Sequence, residues 1–216
     1  MLRTTYPDGL SDRKDIMTDE KIVIRGSTAA DAESFPGLLI MSSSFLEGLL
    51  GDSADRVLKN MFRRKNNLFG HPHSITAEAN GKTAGMLLSY GYQTKVSEEL
   101  ITGLLLFVEM KHELLMKLPM FVRCGKMMDF VVKGDHYISN LAVFPEFRGM
   151  GIASRMIAHA EAAAKKEGAQ RLVLDTEKDH TAAIRLYEKI GFSIRREEYI
   201  DLDERKYFFR MSKPIV

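Results

Sequence analysis

Residues 137–175 place the strongest constraint on what this chain can fold into. Tyr137-Ile138-Ser139-Asn140-Leu141-Ala142-Val143-Phe144 reads as a strand that becomes apolar on both faces toward its end, the pattern of a buried central strand. Pro145-Glu146-Phe147 turns the chain. Arg148-Gly149-Met150-Gly151-Ile152-Ala153-Ser154 then leads into a helix with apolar positions at Ile152, Met156, Ile157, Ala160, Ala163 and Ala164, ended by Gly168. Arg171-Leu172-Val173-Leu174-Asp175 is the next strand. Strand, glycine turn, helix and strand in succession favour a right-handed crossover and parallel pairing. Gly149 and Gly151 let bare backbone N–H groups converge at the positive end of the helix dipole, which suits a phosphate or pyrophosphate, and Ser154 adds a hydroxyl donor. Glycine in such a turn also serves simply to relieve sterics, so the G-x-G by itself leaves both roles open.

Composition bears on that anion site. The 216 residues carry 31 Lys+Arg against 29 Asp+Glu, a net charge of +2, with 45% of the chain apolar. So even a balance argues against a nucleic-acid coat protein, and any bound anion must be held by local geometry, which fixed backbone dipoles supply. The single Cys124 excludes an intramolecular disulfide and a thiolate-rich metal site, and fits a reducing compartment, with the cytoplasm as the expectation. His71-Pro72-His73 has no further ligand at metal spacing, so no metal is expected. Residues 1–20 mix charges throughout with no apolar core; they are expected to form a flexible tail, neither signal peptide nor anchor, ahead of one domain over residues 21–216. The apolar stretch Leu104–Val108 is far too short to span a bilayer, so no membrane partner is expected.

Upstream, Lys21–Arg25 reads as a first strand closed by Gly26-Ser27. Thr28 with Asp31 three residues on resembles a helix start, and Phe35–Leu50, punctuated by Pro36, Gly37 and Gly48, predicts broken helix. Asp52 is expected to cap another short helix to about Lys65, where Arg63-Arg64-Lys65 complement the dipole of the last turn. Ser74–Tyr92 holds two apolar runs around Asn80-Gly81, a strong hairpin signal. Its Gly81-Lys82-Thr83 resembles the tail of a phosphate-binding P-loop, but Thr76 stands where that motif needs glycine. From Ser97 to Leu118 the stripe Ile101, Leu104, Leu105, Val108, His112 and Leu115 has helical spacing, with Pro119 as its end. Met110, Met116, Met120, Met127 and Met128 suit either irregular core gaps or a surface that accommodates an apolar ligand. Phe192–Ile200 and Lys206–Met211 read as a closing hairpin around the acidic loop Asp201–Arg205, which would attract a cationic amine or simply be solvated.

Two nucleotide-type ligands suit the glycine turn. A dinucleotide would use Gly149 and Gly151 with Asp175 on the ribose, as in an NAD-dependent oxidoreductase. Against it, Ser154 replaces the third glycine and no second alternating half precedes Tyr137. Arg148-Gly149-Met150-Gly151-Ile152-Ala153, however, matches the R/Q-x-x-G-x-G/A signature of the GNAT superfamily of acyl-CoA-dependent N-acyltransferases, and Leu141-Ala142-Val143-Phe144-Pro145 looks like that family's preceding strand and turn. Ala183-Ile184-Arg185-Leu186-Tyr187-Glu188-Lys189-Ile190-Gly191-Phe192 resembles its second signature, A-I-x-L-Y-x-x-x-G-F. His180 departs from the pattern, standing where the family usually has an Asn that contacts the pantetheine arm; it would substitute as a donor or cap the helix.

The resemblance implies a single mixed α/β (α+β) domain, with a central mixed twisted β-sheet, splayed parallel strands and helices on both faces. It implies acetyl-CoA, or another acyl-CoA, as co-substrate. The pantetheine arm would lie between the strands ending near Val143 and Asp175, hydrogen-bonded along Leu141, Ala142 and Val143, with an N–H there polarising the acyl carbonyl. The pyrophosphate would rest on the N–H groups of Arg148, Gly149, Met150, Gly151, Ile152, Ala153 and Ser154, with His180 and Ala183 completing the contacts. In this family an amine attacks the thioester directly in a ternary complex, so Cys124 need not act. Tyr187 matches the tyrosine that protonates the departing CoA thiolate, with core packing as its other role. For the base that deprotonates the amine, Glu146 beside the turn and His136, whose ordinary pKa suits neutral pH, are the candidates. The implied acceptor is a small-molecule or peptide amine, and the implied assembly a monomer or homodimer. The Met110–Met128 stretch and the helices from Phe35 to Lys65 are the expected acceptor pocket or dimer face. A non-catalytic CoA-binding regulatory module is the remaining alternative.

Overall fold

The computed structural model describes residues 21–43, 46–111, 113, 116–119, 121–122, 131–201 and 205–216. The tail over residues 1–20, His112, Leu115, Met120, Cys124, Met127, Met128 and most of the acidic loop lie outside these. The strands are β1 (Ile22–Gly26), β2 (Ser74–Ala79), β3 (Lys82–Gly91), β4 (Asp135–Val143), β5 (Arg171–Glu177), β6 (Ser193–Asp201) and β7 (Arg205–Pro214). The helices are α1 (Phe35–Met41), α2 (Leu46–Leu50), α3 (Ala54–Arg63), α4 (Tyr92–Met110), α5 (Ile152–Lys166) and α6 (Thr181–Lys189). They build the single mixed α/β domain expected: one seven-stranded sheet in the order β1-β2-β3-β4-β5-β7-β6, with β4 and β5 parallel and every other neighbouring pair antiparallel.

Local chemistry accounts for most of the elements. Thr28 and Asp31 form a reciprocal capping box on a short 3-10 turn, Ala29–Glu33. Arg25 binds Asp31 and Glu78 at 2.7 and 2.6 Å, which ties that turn to β1 and β2. Asn80 and Gly81 take φ of 52° and 76°, as a two-residue hairpin turn demands. Successive side chains of β3 point to opposite faces: Met86 and Leu88 pack under α1 to α4, whereas Leu87 joins Ile138, Leu172 and Leu174 beneath α5 and α6. The helices therefore cover both faces of the sheet.

The structure departs from the sequence expectations around the helices. Asp52 does not cap α3; it lies inside a 3-10 turn, Gly51–Ser53, and the helix starts at Ala54 behind Ser53. The helix expected over Ser97–Leu118 begins earlier, at Tyr92, and ends at Met110, where Lys111 adopts φ 52°. Pro119, expected to follow the helix, is itself the last of the described helical residues 116–119. More telling is the orientation of α4. Much of its apolar stripe faces solvent, with Ile101 41%, Leu104 58% and Val108 60% exposed and Leu105 only partly buried against the core, whereas Thr102 and Glu109 are buried. Partners decide this. Glu109 accepts from Arg56 at 3.3 Å, Arg64 at 2.8 Å and Asn60 at 2.9 Å, and the Thr102 hydroxyl accepts from Leu68 N–H while donating to the Glu98 carbonyl. Satisfied polar groups can enter an interior that unpaired ones cannot, so periodicity alone misjudges which face turns inward.

Candidate active site between splayed parallel strands

The parallel pairing of β4 and β5 runs only from Asp135↔Arg171 to Ile138↔Leu174. Beyond it β4 continues to Val143 against β3, and β5 to Glu177 against β7, so the two strands part and leave facing edges unpaired with each other. Such edges present main-chain groups that must find partners elsewhere. Past the open end lies the glycine turn. Gly149 and Gly151 have φ of 82° and 74°, and a Cβ built on either meets nothing within 4 Å. Gly151 is the N-cap of α5 and no side chain caps that helix, so its first-turn N–H groups face an open cradle. Arg148 braces the turn: its Nε donates to the Val143 carbonyl at 3.1 Å and its guanidinium reaches Met41 Sδ at 3.4 Å, linking turn, β4 and α1. These features fit a pyrophosphate at the cradle and an extended arm in the opening.

A cavity of about 980 Å³ joins these features. It runs from the cradle residues Arg148, Gly149, Gly151, Ile152, Ala153 and Ser154, along Leu141, Ala142 and Val143, to walls supplied by α1, α2 and α4. His180, Ala183 and Tyr187 line it from α6 and the residue before it. His180 occupies the N-cap position of α6, and its side chain makes no capping bond. Tyr187 packs against Phe192 with ring centroids 5.8 Å apart, and burial pushes its phenol up to about 12. Among the described residues its hydroxyl has no hydrogen-bond partner, so its proton is uncommitted.

The sequence reading missed the hydrogen-bonded wall beyond the strand opening. Asn140 Nδ2 donates to Ser42 Oγ at 2.8 Å, Ser42 donates to the Leu39 carbonyl at 2.7 Å, and Ser139 Oγ donates to Asn140 Oδ1 at 2.9 Å. This chain fixes the loop after α1 against β4. Asp175, the acid a dinucleotide would need free for its ribose, instead accepts two bonds from Arg210, at 2.9 and 2.6 Å, and a third from the Tyr137 hydroxyl at 3.1 Å. Charged Asp175 and Arg210 flanked by apolar strand neighbours were the available signal for a buried pair.

His136, Glu146 and Met150 do not line the cavity. Glu146 is exposed in the 3-10 turn Pro145–Phe147. His136 is buried at the far end of β4, its Nδ1 3.2 Å from Glu167 Oε2 and its Nε2 3.0 Å from Ser89 Oγ. A proton on Nδ1 suits both contacts, since a carboxylate only accepts and the serine hydroxyl can donate. Burial lowers the His136 pKa below its ordinary value, outweighing the opposing pull of Glu167. The unfolded chain then binds the proton more readily than the folded one, so stability is held above about pH 6.5 and lost as pH falls through the lowered value. Thermal melts from pH 7.5 down to 5 are expected to show this loss, and His136→Gln to flatten it; an unchanged slope would contradict the assignment.

A model of the acetyltransferase (GNAT) family matches residues 41–192. The chain belongs to that family. Curated relatives of this GNAT chain include the N-alpha-acetyltransferase 30 of Schizosaccharomyces pombe, 45% identical over 56 residues, which is 26% of this chain and 37% of that protein. The ribosomal protein bS18-alanine N-acetyltransferase of Escherichia coli K12 is 34% identical over 98 residues, 42% of this chain and 66% of that protein. The GNAT chain thus matches less than two thirds of the length of each. Its fold is shared by the N-acetyltransferase from Staphylococcus aureus Mu50, with TM-score 0.62, 20% identity, and coverage of 88% of this chain and 99% of that one. It is also shared by the PaiA N-acetyltransferase from Thermoplasma acidophilum in complex with coenzyme A, with TM-score 0.53, 15% identity, and coverage of 90% and 99%. Among its described residues the GNAT chain has no helix long and apolar enough to cross a membrane.

Proposed function

We propose that this chain is a cytoplasmic N-acetyltransferase that moves an acetyl group from acetyl-CoA to a primary amine by direct attack, with both substrates bound together. The observation that carries this is the continuity of the cavity from the glycine cradle past the strand opening to the α1–α2–α4 walls. At about 980 Å³ it lies near the top of the range for a single small-ligand site, room enough for an acyl-bearing arm and an amine at once.

In this reading the backbone N–H groups from Arg148 to Ser154 hold the pyrophosphate, and the open edge of β4 from Leu141 to Val143 pairs with the pantetheine arm as an added strand would. An N–H of that edge, fixed in place before the reaction, donates to the acyl oxygen as negative charge develops on it. The amine nitrogen bonds to the acyl carbon, the C–S bond breaks, and the thiolate leaves with a proton from the Tyr187 hydroxyl, while the nitrogen gives up its surplus proton to water and the phenolate regains one from solvent. Burial keeps that phenol protonated at neutral pH, as an acid must be. His136 and Glu146 receive no part in proton removal, because neither reaches the cavity wall. His180 and Ala183 flank the arm from the α6 side.

Titration calorimetry with acetyl-CoA, beside a thiol-release assay over a panel of amines, tests the reading. Saturable binding together with amine-dependent CoA release is expected. Binding without release for every amine would leave only a CoA-binding module, and NAD(H) binding in place of acetyl-CoA would point to an oxidoreductase.

A further inference from the structure

The part of the cavity walled by α2 and α4 has a composition of its own. Leu46 and Leu49 from α2, Phe69 from the segment before β2, Leu106 from α4, and Phe121 make its wall apolar. One face of α4 closes it: Glu99, Thr102, Gly103 and Leu106 stand at helical spacing and all line the cavity. The Thr102 hydroxyl is engaged by Leu68 N–H and the Glu98 carbonyl, at 2.9 and 2.8 Å. Glu99 pairs through Oε2 with Lys95 Nζ at 3.0 Å, and burial, helped by the Glu99 charge, holds the Tyr90 phenol protonated. The other carboxylates on the wall are Asp175, already bonded to Arg210 and Tyr137, and Glu177 at the far end of β5. Ser43, also on the wall, keeps a buried Oγ with no hydrogen-bond partner among the described residues.

Gly103 is the unexpected member of this face. A glycine inside a helix is disfavoured against alanine, and here neither a positive φ nor a close neighbour requires one, because a Cβ would meet nothing within 4 Å. Its effect is to leave the α4 wall open between Glu99 and Leu106.

Resting on the N-acetyltransferase reading, we infer that this pocket is the acceptor site and takes a small-molecule monoamine carried on an apolar body, with Glu99 drawing the ammonium group in before it gives up its proton and attacks, and the space at Gly103 admitting the body. A polyamine would need several carboxylates spaced along the wall, and among the described residues Glu99 alone supplies one from α4. A peptide would need main-chain partners, whereas α2 and α4 spend their backbone groups internally. The apolar wall instead rewards burial of alkyl or aryl carbon.

The test compares kcat/KM of the full chain with acetyl-CoA and 2-phenylethylamine, spermidine or alanyl-glycine, beside calorimetric acetyl-CoA affinity. At least a tenfold preference for 2-phenylethylamine is expected. Gly103→Phe, a substitution a helix accepts, is expected to lower kcat/KM for that amine at least tenfold while acetyl-CoA affinity is unchanged. Glu99→Gln is expected to raise KM for the amine several-fold with a smaller change in kcat. Preference for spermidine or the dipeptide, no turnover of 2-phenylethylamine by a chain that binds acetyl-CoA, or indifference to Gly103→Phe would each overturn the acceptor assignment. Failure to bind acetyl-CoA at all would overturn the broader reading with it.

Discussion

Gly151→Glu is expected to weaken acetyl-CoA binding about 100-fold, roughly 3 kcal/mol, with little loss of folded protein. Two costs combine at this position. The residue sits at φ 74°, where a side chain strains the backbone by ~1–2 kcal/mol, although a Cβ itself meets no neighbour. The larger cost is electrostatic: a carboxylate at the N-terminus of α5 occupies the field and the N–H groups that would hold the pyrophosphate, and two like charges near 4 Å repel by ~4 kcal/mol at the dielectric of a protein surface. Gly151→Ala separates the two, since it keeps the strain without the charge, and should cost about tenfold or less. Calorimetric affinities for the two variants check this. Equal, small losses for both would mean that the turn serves the backbone only.

Tyr187→Phe carries the second large effect, a fall in kcat of about 100-fold with acetyl-CoA affinity nearly unchanged. The variant keeps the ring that packs on Phe192 and removes only a hydroxyl that has no partner among the described residues, so stability should barely move. A residue that merely packs would therefore show full turnover. Because burial places the phenol near 12, its loss should lower the rate evenly across neutral pH and introduce no new pH dependence there.

How much of this was legible in the sequence depended on whether the cause was local. The capping box at Thr28 and Asp31, the Asn80-Gly81 turn and the glycine-to-helix turn at Gly149 and Gly151 each arise from a few adjacent residues whose dihedral or bonding needs are fixed by their own chemistry. The two motifs around Arg148 and Tyr187 revealed the family for the same reason. The facing of α4 was not legible, because Glu109 turns inward only by virtue of Arg56, Asn60 and Arg64, residues more than forty positions away. His136 was judged by its ordinary pKa, yet its place under Glu167 and Ser89, away from the cavity, follows from the register of β4 against β3 and the end of α5. Glu99 and Gly103 carry no motif at all. Only the docking of α4 over the cavity gives them a role.

Mass-spectrometric detection of the amine product after incubation with acetyl-CoA tests the central claim most directly. One amide-linked acetyl group on a primary amine is expected for each CoA thiol released. Thiol release without an acetylated amine, or acetyl-CoA binding with neither product across the panel, would contradict it.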